Sequence, residues 1–148
     1  MSDVTVQQLA EVIYHATVRS MKVYDPAEMN AAFADAFNSG SIDNLLALYE
    51  PTAVLVPMPG RRVEGIDAIR TALTELLTLK GHMRSENQYA LVHDDLALLR
   101  AKVHLVATAR DGARIEINNH TAEVVRRQPD GRWLYIIDHA HGADPLPG

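Results

Sequence analysis

The chain has no cysteine among its 148 residues, so disulfide bridges, thiol catalysis and cysteine-ligated zinc are excluded. It has no run of lysine and arginine either. With a formal net charge of −5 it offers phosphate backbones no clustered positive charge, which argues against a nucleic-acid partner. Apolar runs all fall short of the roughly 20 residues that span a bilayer, so no membrane association is expected. The N-terminal stretch MSDVTVQQLAEVIYHATVR lacks a basic segment leading into an apolar one, so a signal peptide is not expected and a cytoplasmic location is. Gly60 and Gly65 are not followed by the Gly-Lys-Ser/Thr of a phosphate loop, and no serine sits in a nucleophile-elbow pattern. No cofactor is therefore expected.

What is present is the composition of an ordinary globular chain, 47% hydrophobic and 22% charged, of a length suited to one domain with its own core. Its first half is punctuated for helices. Thr5 and Gln8 form a capping box ahead of Val6, Leu9, Ile13 and Ala16 at helical spacing, predicting a helical extension within residues 1–24. Asp25-Pro26-Ala27-Glu28 is a second start signal. It is followed by the apolar stripe Met29, Ala32, Phe33, Ala36 and Phe37 and closed by Gly40. Ser41 caps a short helix carrying Ile42, Leu45, Leu46 and Tyr49, stopped by Pro51. Then AVLV reads as a buried strand, interrupted by Pro57-Met58-Pro59-Gly60: either a plain strand end or the mouth of a pocket. A fourth helix is predicted from Ile66 to Leu79, with Ile69, Leu73 and Leu76 inward.

From His82 the apolar period becomes that of strands. The turn signals His93-Asp94-Asp95, Asp111-Gly112 and Pro129-Asp130-Gly131 separate four segments, roughly 82–93, 96–110, 113–128 and 132–141. An antiparallel meander of strands this long must twist and curl. The expectation is an α+β fold with helices packed in the concave face of a curved antiparallel sheet, and a loose tail ADPLPG. Both faces of the last strands carry apolar residues (Ile115, Ile117, Val125, Trp133, Tyr135 and Ile137). Helices can cover one face only, so a homodimer built on the outer face is expected.

Three stretches in this order, AFNSGSIDNLLALYEPTAVLVPMPG, RRVEGIDAIRTAL and VVRRQPDGRWLYIIDHAHG, resemble the nuclear transport factor two-like superfamily, and within it the SnoaL-like polyketide cyclases and ketosteroid isomerase homologues. The resemblance covers residues 26–142. It implies a cone-shaped α+β barrel with one deep, mostly apolar pocket, usually in a homodimer, and it spans enzymes as well as binding modules without chemistry. Aligned on Asn38-Ser39-Gly40, the general base of the isomerases falls on Pro57, their carbonyl-polarising tyrosine on Phe33 and their second acid on Asn119. Proline takes no proton and phenylalanine donates none, so Δ5-3-ketosteroid isomerase chemistry is not expected. Phe33, Phe37, Pro57, Met58 and Asn119 are the expected ligand-binding positions.

The resemblance also implies a polar pocket residue on the last strand, where Asp138 ends the apolar run WLYII. A three-residue loop at Pro129-Asp130-Gly131 sets Asp138 on a face with His120; a two-residue loop shifts the register and sets it with Asn119 instead. A His120–Asp138 pair would suit acid–base catalysis, while a solvated strand-end aspartate is the plain alternative. His139 and His141 share a strand face, but no third ligand completes a metal site, so no metal is expected. The expected function is a cofactor-independent acid–base enzyme (isomerase, cyclase or hydrolase type) acting on a small hydrophobic metabolite, with Asp138 and His120 as catalytic residues. The alternative is a binding or assembly module with no catalysis.

Overall fold

The computed structural model describes residues 22–145 together with Val6. The predicted N-terminal helix through Leu9, Ile13 and Ala16, and residues 146–148, lie outside the described residues.

The punctuation of the first half acts where it stands. The Asp25 carboxylate accepts from the Ala27 amide, and Pro26–Glu28 forms one 3-10 turn that feeds helix α1, Met29–Ser39. Gly40 ends α1 in the left-handed conformation at φ 74°. The Ser41 hydroxyl accepts from the Asn44 amide and starts α2, Ile42–Leu46. Helix α3, Ile66–Leu77, turns Ile69, Ala72 and Leu73 inward.

The strands begin earlier than the sequence suggests. Tyr49 is no part of α2; it opens β1, Tyr49–Met58. Gly60, at φ 81°, turns β1 into the short β2, Arg61–Glu64. β3 (Lys80–His93) and β4 (Leu96–Thr108) are the long pair, and the segment expected as one strand over 113–128 is two, β5 (Arg114–His120) and β6 (Ala122–Arg127). The break at Thr121 has a cause in hydrogen bonding. Ala101 donates to the Thr121 hydroxyl, and the Thr121 amide donates to the Ala101 carbonyl, each at 2.9 Å. β5 therefore pairs with the second half of β4 and β6 with the first. β7, Trp133–His139, completes the order β2-β1-β7-β6-β4-β3.

The fold is α+β, with a curved sheet that stays unclosed between its edges β2 and β3. One neighbour pair departs from the expected meander: β1 runs parallel to β7. Met29, Leu45, Leu48, Ile69, Leu99, Val125 and Tyr135 are fully buried between the helices and the concave face. The expected loose tail is anchored at its start, since Ala143 donates to the His120 carbonyl and the His120 amide to the Asp144 carboxylate.

Close approach of β3 to β4 fixes the residue at Gly81. A Cβ there would stand 2.2 Å from the Val106 carbonyl oxygen, a contact that backbone cannot relieve locally. Gly81→Ala is expected to destabilise the fold by about 1–3 kcal/mol, read as a lower urea midpoint with unchanged slope.

Candidate functional site

The last hairpin leaves its turn in one register and reaches the site in another. Arg127 to Val125 pair with Trp133 to Tyr135, the register of the three-residue loop. Between Val124 and Val125 the ladder slips by one, with Ile136 as the extra residue, so that Val124 faces Ile137 and Glu123 faces Asp138. A bulge of this kind re-aims every side chain beyond it. Tyr135 and Asp138 therefore both point inward, although a regular strand would place them on opposite faces. His120, paired with Lys102, lies on the other face from Asn119, which pairs with the inward Val103. The His120–Asp138 pair is not formed.

Inside the cone is a cavity of about 140 Å³. Its walls are apolar, made by residues such as Leu73, Leu76, Met83, Leu105 and Ile117, and its polar points include Asn30, Asn119, Asp138 and His141. Of the positions expected to bind ligand, Phe33, Pro57 and Asn119 line this cavity together with Asp138. Phe37 is buried in the core and Met58 is half exposed, and neither belongs to the lining. The interrupted stretch at Pro57-Met58-Pro59-Gly60 is thus both a strand end and a cavity wall.

Asp138 is the most constrained of these groups. It is buried, and the Tyr49 hydroxyl donates to its Oδ2. Burial pushes the Asp138 carboxyl up to about 6, against the lowering effect of the Tyr49 bond. Burial also holds the Tyr49 phenol well above its ordinary value, so it stays a donor. Tyr49 packs on Tyr135 with ring centroids 5.0 Å apart, and Tyr135, which lines the cavity with Phe33, meets it edge-on at 6.3 Å.

Glu123, directly across from Asp138, carries no obvious functional signal in the sequence and is 1% exposed. The Thr121 hydroxyl donates to its Oε2 at 3.0 Å. Burial first, then the Asp138 charge, push the Glu123 carboxyl up to about 8, against the bonding from Thr121 and the adjoining Asn30. The Tyr49 bond favours the charge on Asp138, so of these two facing carboxyls Glu123 is the one that holds its proton to higher pH. Asn119 is pinned by donating its amide to the Ala140 carbonyl. His141, also in the lining, has its Nδ1 2.9 Å from Asp144 Oδ2.

Among the described residues no three His, Asp or Glu side chains converge as a metal site, and no helix is long and apolar enough to cross a membrane. Asp138 is a carboxylate in apolar surroundings, a group able to take up and release a proton.

The SnoaL-like domain family matches residues 30–136. No curated protein matches the chain. Among solved structures, a presumed aromatic ring hydroxylase from Novosphingobium aromaticivorans is similar at 24% identity over 82% of this chain and 88% of that one, with a TM-score of 0.67. A ketosteroid isomerase-like protein from Erwinia carotovora atroseptica is similar at 23% identity over 75% and 88%, with a TM-score of 0.67. A presumed dehydratase of the nuclear transport factor two-like family from Streptomyces avermitilis is similar at 18% identity over 75% and 88%, with a TM-score of 0.64. At these identities the likeness is one of fold.

Proposed function

The chain belongs to the SnoaL-like domain family, and from that premise we propose that it is a cofactor-independent enzyme that moves a proton on a small hydrophobic metabolite, with Asp138 as the base. The observation that carries this reading is a buried, ionised carboxylate facing an apolar cavity, with a tyrosine donor holding it. A carboxylate there is stripped of water and raised toward neutrality, which strengthens it as a base. Size narrows the ligand. An apolar cavity of about 150 Å³ takes up benzene, and this one, at about 140 Å³, suits a single ring and not a fused steroid nucleus.

A one-ring ketone is the simplest probe. Cyclohexanone in heavy water should exchange its α-protons faster with the protein than without it, followed by proton NMR, and Asp138→Asn should remove the acceleration. Cyclohexanone that binds, seen as a shift of amide signals lining the cavity, yet exchanges no faster would favour the alternative of a binding module. Δ5-3-Ketosteroids are expected to stay unconverted, because Pro57 and Phe33, onto which the isomerases' base and donor fall in the alignment, line the cavity and can perform neither role.

A homodimer belongs to the same proposal. On the convex face, Leu91, Leu98, Val124, Ile137 and Val54 are paired in one lateral row across five strands. Leu91, Leu98 and Ile137 are 59%, 42% and 44% exposed, a continuous apolar band that a second copy of the chain would cover. Light scattering should give twice the chain mass of 16.3 kDa, and Ile137→Glu should give the monomer. A wild-type monomer at micromolar concentration would refute the dimer.

A further inference from the structure

We infer that His141, oriented by Asp144, is the second proton-transfer group of the cavity, acting on the substrate oxygen while Asp138 acts on the neighbouring carbon; this rests on the reading of Asp138 as a base.

Three observations meet here. The titratable side chains lining the cavity are Asp138, Tyr135 and His141. Tyr135 is committed, its hydroxyl lying 2.6 Å from Asn30 Oδ1 and 3.2 Å from the Met29 carbonyl. That leaves His141 as the one partner for Asp138 with a nitrogen to spare. Its Nδ1 is taken by Asp144 Oδ2 at 2.9 Å, and its Nε2 has no partner among the described residues. A carboxylate on Nδ1 fixes the ring and directs proton exchange to Nε2.

Asp144 is itself held in place. The His120 amide donates to its Oδ1 at 2.6 Å, and the Ala143 amide donates to the His120 carbonyl at 3.1 Å. Burial would raise the Asp144 carboxyl, but the His120 and His141 bonds outweigh it and keep the group below its ordinary range, hence ionised. The groups around the His141 ring are Asp144, the His139 ring, whose Nδ1 accepts from the His141 amide at 3.3 Å, His120 behind Asp144, and Asp138 in the same cavity. The histidine that shares the cavity with Asp138 comes from the turn after β7, and is not His120.

The step closes on itself. With a ketone in the cavity, the α C–H bond breaks and its proton passes to the Asp138 carboxylate. The electron pair forms the C=C bond of the enol, and the carbonyl oxygen takes a proton carried on Nε2 of His141. Reversal returns the ketone. No oxidant, reductant or cofactor enters, so the substrate class is a one-ring carbonyl compound with an acidic α-position.

The test uses α-proton exchange of cyclohexanone in heavy water by the full chain. His141→Gln is expected to lower kcat by about 10²-fold or more with KM little changed. His141→Ala should regain activity when imidazole is added, which a purely structural histidine would not permit, and Asp144→Asn should lose about tenfold. If Asp138→Asn abolishes exchange while His141→Gln keeps the wild-type kcat, the inference falls and the reading of Asp138 stands. If the wild-type protein accelerates nothing, that reading falls, and nitrogen-15 NMR of the histidine rings decides on His141 alone. A His141 Nε2 signal that moves when Asp138→Asn protein is saturated with cyclohexanone supports a bond to the ketone oxygen; an unmoved signal overturns it.

Discussion

Asp138→Asn is expected to cut turnover by about 10²–10⁴-fold while the protein melts at the same temperature or higher. The two halves of this result have one cause. The carboxylate is buried, and burial raises its pKa to about 6 from the 3.8 it has in water. A proton acceptor raised toward neutrality is a better base, and a charge that resists burial is a cost to the fold at neutral pH. Asparagine fills the same volume and can still accept from the Tyr49 hydroxyl, but it takes no proton. The pH profile checks the assignment: turnover should rise through about pH 6 as Asp138 ionises. Tyr49→Phe removes the bond that lowers this value, so the rise should move to higher pH. A profile unchanged in Tyr49→Phe, or an active Asp138→Asn, would show that another group is the base.

The elements of this fold are legible wherever local chemistry decides them. Asp25, Gly40 and Ser41 do in the structure what their side chains and backbone freedom suggest. Tyr49 misleads because its spacing from Leu45 and Leu46 also fits one more helical turn, and only pairing with β7 shows it to be a strand residue. The break at Thr121 likewise depends on β4, a neighbour in space. The site is the least legible part. Which way Asp138 faces depends on one extra residue, Ile136. A bulge inside an apolar run leaves no trace in the pattern, because both faces of WLYII are apolar already. Each of the two candidate registers is right for part of the hairpin. Glu123 stays hidden for a related reason: in AEVVRR each face carries one valine and one arginine, so the pattern does not say which face, and with it Glu123, is buried. His141 reads in the sequence only as half of a metal pair, since the bend that brings it to the cavity follows the end of β7.

Glu123→Gln is expected to flatten the dependence of stability on pH, and burial of the carboxyl fixes the sign. In the unfolded chain Glu123 ionises near 4.5; in the folded protein it holds its proton up to about 8. Between those values the unfolded state binds fewer protons than the native one, so stability falls as pH rises. At roughly 1.4 kcal/mol for each pH unit between the two values, the loss reaches several kcal/mol by pH 8. Asp138, raised from 3.8 to about 6, adds a fall of the same sign below pH 6. Two buried atoms agree with a protonated Glu123. With Asn30 Oδ1 toward Tyr135, Glu123 Oε1 and the adjoining Asn30 Nδ2 have no partner, while the Tyr135 hydroxyl has two acceptors for its single proton. Turning the Asn30 amide lets Tyr135 donate to the Met29 carbonyl and accept from Nδ2, and lets a protonated Glu123 donate to Oδ1. Glutamine offers the same donor and acceptor without a charge to titrate. The variant should therefore keep turnover at pH 7, where Glu123 is already neutral, and should exceed the wild-type protein in stability at pH 8. Urea midpoints of the two proteins at pH 5 and pH 8 make the comparison. A variant weaker than wild type by the same margin at both pH values would mean that Glu123 is a charged structural anchor and that Asp138 does not share a proton with it.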